Sequence, residues 1–231
     1  LEVIERMGIK HGKPEIILNV SEEEKEWARQ LIFHPSNHKL VHIHPTSRWL
    51  FKCWKDEYMA EVIKWFVINS FRVVLTASAE AKELKKIESI LSHTSYSHFG
   101  STKEYSPIIN LAGKLTLRQL IAVSSICDMY FGVDTAPMHI AAALGKPTVA
   151  LFGPSGAFHW GPWDNEAYGM PYPERNGIQR FGKNIAIQQD WDCIPCGKDG
   201  CKGSKISNCL FDIKPNEVID ILKEEIKKIK Q

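Results

Sequence analysis

The sequence predicts an α/β domain built on a doubly wound, Rossmann-like parallel sheet. Three observations support this: short apolar runs alternate with amphipathic stretches, several runs are apolar throughout, and the stretches carry helix start or stop residues. Runs without polar residues are typical of strands buried on both faces, and repeated strand–helix–strand units form parallel sheets through right-handed crossovers. We expect residues 39–231 to form this domain, and residues 1–38 to be the remnant of an N-terminal domain with its linker.

The predicted strands are the short apolar runs. They cover residues 15–20, 40–44, 71–76, 108–111, 129–131 and 148–152. Because open parallel sheets bind ligands beyond the carboxyl ends of their strands, we expect a binding site in the loops that follow these runs.

The predicted helices lie between and after the strands. Ser21 with Glu24 forms a capping-box pattern, and Thr116 caps a helix that extends to residue 126. The other predicted helices cover residues 56–70, 79–92 and 137–144, and one begins at Pro215. Residues 161–182 are rich in Gly, Pro and Tyr and are predicted to form a loop.

The composition excludes several classes of protein. With 29 Lys and Arg against 27 Asp and Glu, the formal charge is +2, which argues against a dedicated nucleic-acid binder. No stretch approaches the roughly 18 apolar residues of a membrane span. The first residues also lack the basic-then-apolar pattern of a secretion signal, so we expect a cytoplasmic protein.

The loop after the second predicted strand carries several groups that can bind phosphate. Thr46, Ser47, Arg48 and Lys52 lie within seven residues and can all donate hydrogen bonds to phosphate oxygens. The alternative is a capped turn with solvated cations.

The segment from Gly132 to His139 follows a strand and opens a helix of small residues. A helix start presents free N–H groups and a positive dipole end, which suit an anion. Asp134 or Thr135 could instead be simple N-caps, and His139 could either bond a ligand or be a satisfied, partly buried histidine.

Two common nucleotide-binding patterns are absent from the sequence. It has neither the Gly-x-Gly-x-x-Gly fingerprint nor the Walker-type phosphate loop. Their absence weakens an NAD-dependent oxidoreductase, which remains a less favoured alternative, and also a P-loop enzyme.

Several separated motifs, in order, resemble glycosyltransferase family 9, the ADP-heptose:lipopolysaccharide heptosyltransferases. They are the segment 128–145, the Leu-Phe-Gly-Pro at 151–154, the loop 47–52, the run 155–163 and the segment from Trp191 through the cysteines to Leu210. The last three are most similar to the third core heptosyltransferases, which add the branch heptose. The resemblance implies the C-terminal, donor-binding half of a two-domain GT-B architecture.

The resemblance also implies roles for individual residues. Thr46 and Ser47 match the hydroxyl pair that contacts donor phosphates, and Lys52 matches the lysine near the diphosphate, our one candidate catalytic residue. Glu80 matches an acidic residue that holds the ribose, and Leu115 falls where adenine is contacted.

The donor motif of the family is Asp-Thr-Gly-x-x-His, which Asp134, Thr135, Ala136 and His139 match. Ala136 replaces the usual Gly, which is tolerable only if this residue avoids a positive φ.

The activity implied is transfer of heptose from ADP-heptose to the inner core of lipopolysaccharide, without a cofactor or metal. The implied partners are the donor, the inner-core acceptor and the missing N-terminal domain, which supplies the base, so we expect this chain alone to be inactive. A non-catalytic nucleotide-sugar-binding module is the alternative. The lysines of residues 223–230 form either a solvated helix face or a contact with the anionic cytoplasmic face of the inner membrane.

Four of the six cysteines cluster in the loop 191–210. They are Cys193, Cys196, Cys201 and Cys209. A Cys₄ zinc site and free structural thiols are both compatible with this spacing, which is looser than the paired Cys-x2-Cys of a zinc ribbon.

Overall fold

The strand order is 3-2-1-4-5-7-6 in one sheet, and the neighbours are parallel except for the last pair, β6 and β7. The computed structural model describes residues 5–10, 12–32, 38–94 and 106–229. The strands are β1 (Lys39–His44), β2 (Phe71–Leu75), β3 (Ile108–Asn110), β4 (Met129–Val133), β5 (Thr148–Leu151), β6 (Gln179–Phe181) and β7 (Asn184–Ile187). The predicted α/β class with a parallel sheet is confirmed.

Helices cover both faces of this sheet. They are α1 (Glu22–Ile32), α2 (Asp56–Ile68), α3 (Ala81–Ser92), α4 (Leu117–Ile126), α5 (Ala136–Ala143), α6 (Ala157–Trp160), α7 (Asn208–Asp212) and α8 (Pro215–Ile229). Helices α2, α3 and α8 contribute to the largest apolar core, and α1, α4 and α5 contribute to two separate clusters. Because the central strands are covered on both sides, they contain almost only apolar residues.

Two predictions about the chain path are wrong. Residues 15–20 form no strand; they are mostly exposed, and the backbone of Ile16 pairs with the side chain of Asn165 instead of with a neighbouring strand. The predicted loop 161–182 ends in a strand, β6, which pairs with β7 and buries Phe181 against Tyr172 and Trp163. An isolated apolar run cannot become a strand without a partner to receive its backbone hydrogen bonds.

The predicted helix starts are confirmed in detail. The Ser21 amide donates to Glu24 Oε2 at 2.8 Å, and the Glu24 amide donates to Ser21 Oγ at 3.2 Å. Thr116 and Gln119 make the same reciprocal pair at 3.3 and 2.9 Å. Each box satisfies two backbone donors that the helix itself leaves unpaired.

Thr116→Ala will destabilise the protein, because it removes the side-chain acceptor at the start of α4. We expect the free energy of unfolding to fall by about 1 kcal/mol in a urea titration. Thr116→Ser keeps the hydroxyl and is the matched control. Equal stability of the Ala and Ser variants would contradict a capping role.

Helix α8 carries the apolar face that the sequence predicts. Val218, Ile219, Leu222 and Ile226 are buried. Its lysines alternate with acidic residues on the same helix, as in the pairs Lys223–Asp220 and Lys228–Glu225 at 2.8 Å each. Residue 230 lies outside the described residues.

Candidate functional site

The site lies between β1 and β4, where the order in which the chain adds strands to the sheet reverses. Strands β1 and β4 are adjacent and parallel, with His44 opposite Gly132. From β1 the chain builds the sheet outward through β2 and β3, and from β4 it builds outward on the other side. The loops that follow β1 and β4 therefore separate and leave a crevice, which is the usual ligand position in open α/β sheets.

A cavity of about 580 Å³ occupies this crevice. Most of the residues singled out from the sequence line it: Ser47, Lys52, Leu115, Asp134, Thr135, Ala136 and His139. Thr46 and Glu80 do not line it. The fold thus assembles residues separated by up to 92 positions along the chain, counted from Ser47 to His139.

Close packing at Gly132 brings β1 and β4 together beneath the cavity. A Cβ atom at this position would lie 2.5 Å from the His44 carbonyl oxygen and 2.5 Å from the Tyr130 hydroxyl. Only a residue without a side chain allows this approach.

The floor of the cavity contains an ion pair between its two loops. Lys52 Nζ lies 2.7 Å from Asp134 Oδ2, and the same carboxylate oxygen accepts a hydrogen bond from Ser155 Oγ. The Asp134 side chain is only 6% exposed, and the Lys52 side chain is 23% exposed. The ion pair fixes the Lys52 side chain at the edge of the cavity.

These contacts argue against Asp134 and Thr135 as simple N-caps of α5. The carboxylate of Asp134 bonds Lys52 and Ser155 rather than the start of the helix. Thr135 occupies the N-cap position of α5 but makes no side-chain capping bond.

Ala136 is not among the described residues that have a positive φ, so it meets the condition for replacing glycine.

Ser155 is a site residue that the sequence reasoning missed. It follows β5, and its position in the loop is set by Gln188, whose Nε2 donates to the carbonyl oxygens of Gly153 at 2.7 Å and Ser155 at 2.6 Å. Two signals pointed to it: its place after a buried parallel strand, and its position at the start of the run 155–163, which carries part of the family resemblance.

An acidic residue other than the predicted one lines the cavity. Glu83 accepts hydrogen bonds from Thr46 Oγ1 at 2.7 Å and from the Ser78 amide at 3.3 Å. Burial raises the pKa of Glu83, but the hydrogen bonds from Ser78 and Thr46 outweigh it, so the net pKa is lowered. Glu80, the predicted residue, is exposed at the start of α3, one helical turn earlier.

Three histidines lie at or beneath the cavity. Burial lowers the pKa of His42 to about 3 and that of His44 to about 4, and it also lowers the pKa of His139. His44 and His139 line the cavity, whereas His42 is buried in the sheet. The rings of His42 and His44 are therefore neutral at pH 7, and they can act as donors or acceptors without adding charge.

The buried histidines predict a loss of stability in acid. An unfolded histidine binds its proton near pH 6.5, whereas His42 and His44 resist protonation down to about pH 3 and 4 in the folded chain. Between these limits the unfolded state binds more protons, so the unfolding free energy falls as the pH drops below 6.5, by at most about 1.4 kcal/mol per pH unit for each histidine.

Denaturant titrations from pH 7 to 4.5 will measure this dependence. In His42→Gln we expect the slope against pH to be shallower by roughly 1 kcal/mol per pH unit, because one titrating group is gone. Replacement of the exposed His93 by Gln is the matched control. An undiminished slope in His42→Gln would contradict the assigned burial effect.

The mouth of the cavity is apolar and aromatic. Trp49, Trp160 and Leu117 line it and are 53%, 57% and 65% exposed. The Arg48 guanidinium lies 5.6 Å from the centre of the Trp49 ring. This rim can contact a flat or apolar part of a ligand whose charged part reaches the cation and helix start below.

The Cys-rich loop is not arranged as a metal site. Within the described ranges, no group of three or more His, Cys, Asp or Glu side chains is placed to hold a metal ion, and all six cysteines are unpaired. Burial and the neighbouring thiols of Cys201, Cys196 and Cys193 raise the pKa of the Cys209 thiol to about 11, so the four cysteines of this loop lie near one another. The chain contains one Asp-x-Asp sequence, at Asp190 and Asp192, and neither carboxylate lines the cavity.

No helix in the described part of the chain is long and apolar enough to span a bilayer.

The chain matches a known protein family and several of its characterised members. Residues 4–185 match the model of glycosyltransferase family 9 (heptosyltransferase). Lipopolysaccharide heptosyltransferase 3 of Escherichia coli strain K12 is 32% identical over 201 residues, which are 84% of this chain and 56% of that protein. The lipopolysaccharide core heptosyltransferase OpsX of Haemophilus influenzae is 30% identical over 179 residues, which are 78% of this chain and 48% of that protein.

The fold is also similar to that of a solved structure. The structure of E. coli ADP-heptose lps heptosyltransferase II aligns with a TM-score of 0.71 and 23% identity, over 97% of this chain and 57% of that one. The chain spans about half the length of the curated relatives that it matches.

Proposed function

Because this chain belongs to glycosyltransferase family 9, we propose that it holds the donor site of a heptosyltransferase that moves heptose from ADP-heptose to the inner core of lipopolysaccharide. The observation that carries the proposal is the Lys52–Asp134 pair beside the first turn of α5, inside the crevice between β1 and β4. A fixed cation beside a helix N-terminus is a site for a diphosphate.

The neighbouring groups support binding of phosphate in this position. Ser47 Oγ accepts a hydrogen bond from the Trp49 amide at 3.2 Å, which leaves the hydroxyl proton for a ligand oxygen. Thr135, Ala136 and His139 lie at the start of α5 and line the same wall. Thr46 acts through Glu83, since its hydroxyl donates to that carboxylate rather than facing the cavity.

The chemistry required of this half is stabilisation of a leaving group. When the bond between the sugar and the diphosphate breaks, negative charge grows on the departing phosphate. Lys52 and the start of α5 line the same cavity, so their positive charge and dipole end can stabilise the developing negative charge. Lys52 is therefore the residue of this chain that we assign to catalysis.

The nucleoside is proposed to lie toward the apolar rim, near Leu115. Glu80 by resemblance and Glu83 by position are our two candidates for the carboxylate that accepts a hydrogen bond from the ribose. Glu80→Gln and Glu83→Gln, compared by calorimetry with ADP, distinguish them. The residue that holds the ribose will show the larger loss of affinity.

Transfer is proposed to need more than this chain. The relatives are about twice as long as the part matched here, and we assign the acceptor site and the base to their remaining part. The acceptor is a membrane lipid, so we also propose that the enzyme works at the cytoplasmic face of the inner membrane. Transfer to a lipid A–core acceptor by this chain alone, at the rate of an intact relative, would refute this division.

Calorimetry with ADP, ADP-heptose and NAD tests the donor site. We expect ADP and ADP-heptose to bind and NAD to bind more weakly. Tighter binding of NAD than of ADP-heptose would favour an oxidoreductase. Binding of ADP-heptose without transfer in the full-length protein would favour a non-catalytic module.

A further inference from the structure

A row of buried polar side chains connects the interior of the domain to the cavity wall. Ser124 Oγ on α4 lies 3.2 Å from His42 Nδ1 on β1, and His42 Nε2 lies 2.8 Å from Thr76 Oγ1. The same hydroxyl lies 2.9 Å from His44 Nδ1. Thr76 and His44 line the cavity, whereas His42 and Ser124 do not. The four groups therefore form one continuous hydrogen-bonded row that ends at the ligand site.

In the described part of the chain, Thr76 Oγ1 has no hydrogen-bond partner besides the two rings, so its proton goes to one ring and it accepts from the other. The protons along this row can therefore run in only two directions. Both rings are neutral, so each has one N–H and one acceptor nitrogen. If Ser124 donates to His42, then His42 Nε2–H donates to Thr76 and Thr76 donates to His44 Nδ1. His44 is then left with an Nε2–H group. In the opposite direction Ser124 accepts, and His44 is left with a bare Nε2.

The interior end of the row decides between the two directions. Ser124 is buried, and in the part of the chain that the structure describes its hydroxyl has no partner besides His42. If Ser124 accepted from His42, its own proton would be buried without an acceptor, which proteins avoid. When Ser124 donates, every proton in the row is paired up to His44.

We propose that Ser124, His42 and Thr76 hold His44 as a neutral hydrogen-bond donor, with its Nε2–H facing the cavity to bind an oxygen of the nucleotide ligand. The Nδ1 edge of the ring is occupied by Thr76, which leaves the opposite edge for the cavity. His44 is a binding residue, and the other three are positioning residues that act through it. The ligand part of this inference rests on the proposed function.

The tautomer of His44 is measurable without any ligand. Long-range ¹H–¹⁵N correlation spectra at pH 7 distinguish Nδ1–H, Nε2–H and doubly protonated rings, and the spectrum of His44→Gln assigns the signals. We expect both His42 and His44 to carry the proton on Nε2. A proton on Nδ1 of His44, or a charged ring, would overturn the proposal even if ADP binds as expected. Failure of ADP to bind would instead count against the proposed function.

Variants at His44 and Ser124 test the effect on ADP binding. His44→Gln keeps an N–H near the Nε2 position, whereas His44→Asn keeps only the bond to Thr76, so we expect Asn to weaken ADP binding at least about threefold more than Gln. Ser124→Ala should weaken ADP binding by about three- to tenfold and yield mixed tautomers of His44, although Ser124 does not line the cavity.

Ser125→Ala is the matched control for Ser124→Ala. Ser125 is the next residue of α4, and its hydroxyl donates only to the Ala122 carbonyl within the helix, at 2.7 Å. We expect this variant to keep the tautomers and the ADP affinity. Equal ADP affinity of the two serine variants, both verified as folded by thermal unfolding, would overturn the positioning role.

Discussion

Lys52→Met will reduce the affinity for ADP by at least about tenfold, the effect of losing one charge-assisted hydrogen bond of roughly 1.5–3 kcal/mol. Lys52 is the cation that the fold places between the two loops of the cavity, 2.7 Å from Asp134. Calorimetry with ADP measures the change. The lysine is assigned to the leaving diphosphate, so in the proposed transferase heptose transfer should fall further than ADP affinity does.

The matched control is Lys82→Met. Lys82 is exposed and does not line the cavity, and its Nζ donates to the Arg48 carbonyl of the same loop at 2.6 Å. This variant removes an equal charge without removing a group from the cavity. If Lys82→Met weakened ADP binding as much as Lys52→Met, the effect would belong to the overall charge and not to the site.

A second variant separates binding from folding. Lys52→Met leaves the buried Asp134 carboxylate without its cation, which should lower the unfolding free energy by about 1–3 kcal/mol. Adding Asp134→Asn removes the unpaired charge, so stability should recover while ADP affinity stays low. Recovery of both would show that Lys52 serves only to neutralise Asp134.

Gly132→Ala will destabilise the fold, because a methyl group has no space at this position. The new Cβ would lie 2.5 Å from the His44 carbonyl oxygen and from the Tyr130 hydroxyl, and the former belongs to the paired backbone of β1. We expect the unfolding free energy to fall by about 2–4 kcal/mol in a urea titration. Because Lys52 and Asp134 follow these strands, ADP affinity should fall as well.

Gly153→Ala is the matched control for this prediction. A Cβ at Gly153 would meet its nearest neighbour, Leu210 Cβ, at 3.6 Å, an ordinary van der Waals contact. We expect a change of less than about 1 kcal/mol. Similar losses in both variants would mean that the close approach of β1 and β4 is not what requires Gly132.

The core of this fold was predictable because its central strands can be recognised from their own short apolar runs. Strands buried on both faces are almost entirely apolar, so they can be recognised in the sequence. Capping residues such as Ser21 and Thr116 likewise mark where a helix begins. Strands β6 and β7 were not predicted, because each becomes a strand only by pairing with a neighbour that the tertiary fold brings beside it: β7 with β5, and β6 with β7. The strand predicted at residues 15–20 failed for the same reason.

The candidate site was predictable to the extent that it follows from topology. The loops after β1 and β4 must flank the crevice at the switch point, so Ser47, Lys52 and Asp134 line the same crevice. The bonding partners within it were not predictable: which helical turn presents its carboxylate, Glu80 or Glu83, depends on how α3 packs. The contact of Ser155 with Asp134 also depends on a loop held by a distant glutamine, Gln188.

A crystal structure of this chain with ADP is the most direct measurement of the central claim. The account predicts the diphosphate within about 4 Å of Lys52 Nζ, beside Ser47 and the first turn of α5, with the adenosine toward Leu115. ADP bound outside the crevice between β1 and β4, or bound there with its diphosphate away from Lys52, would contradict it.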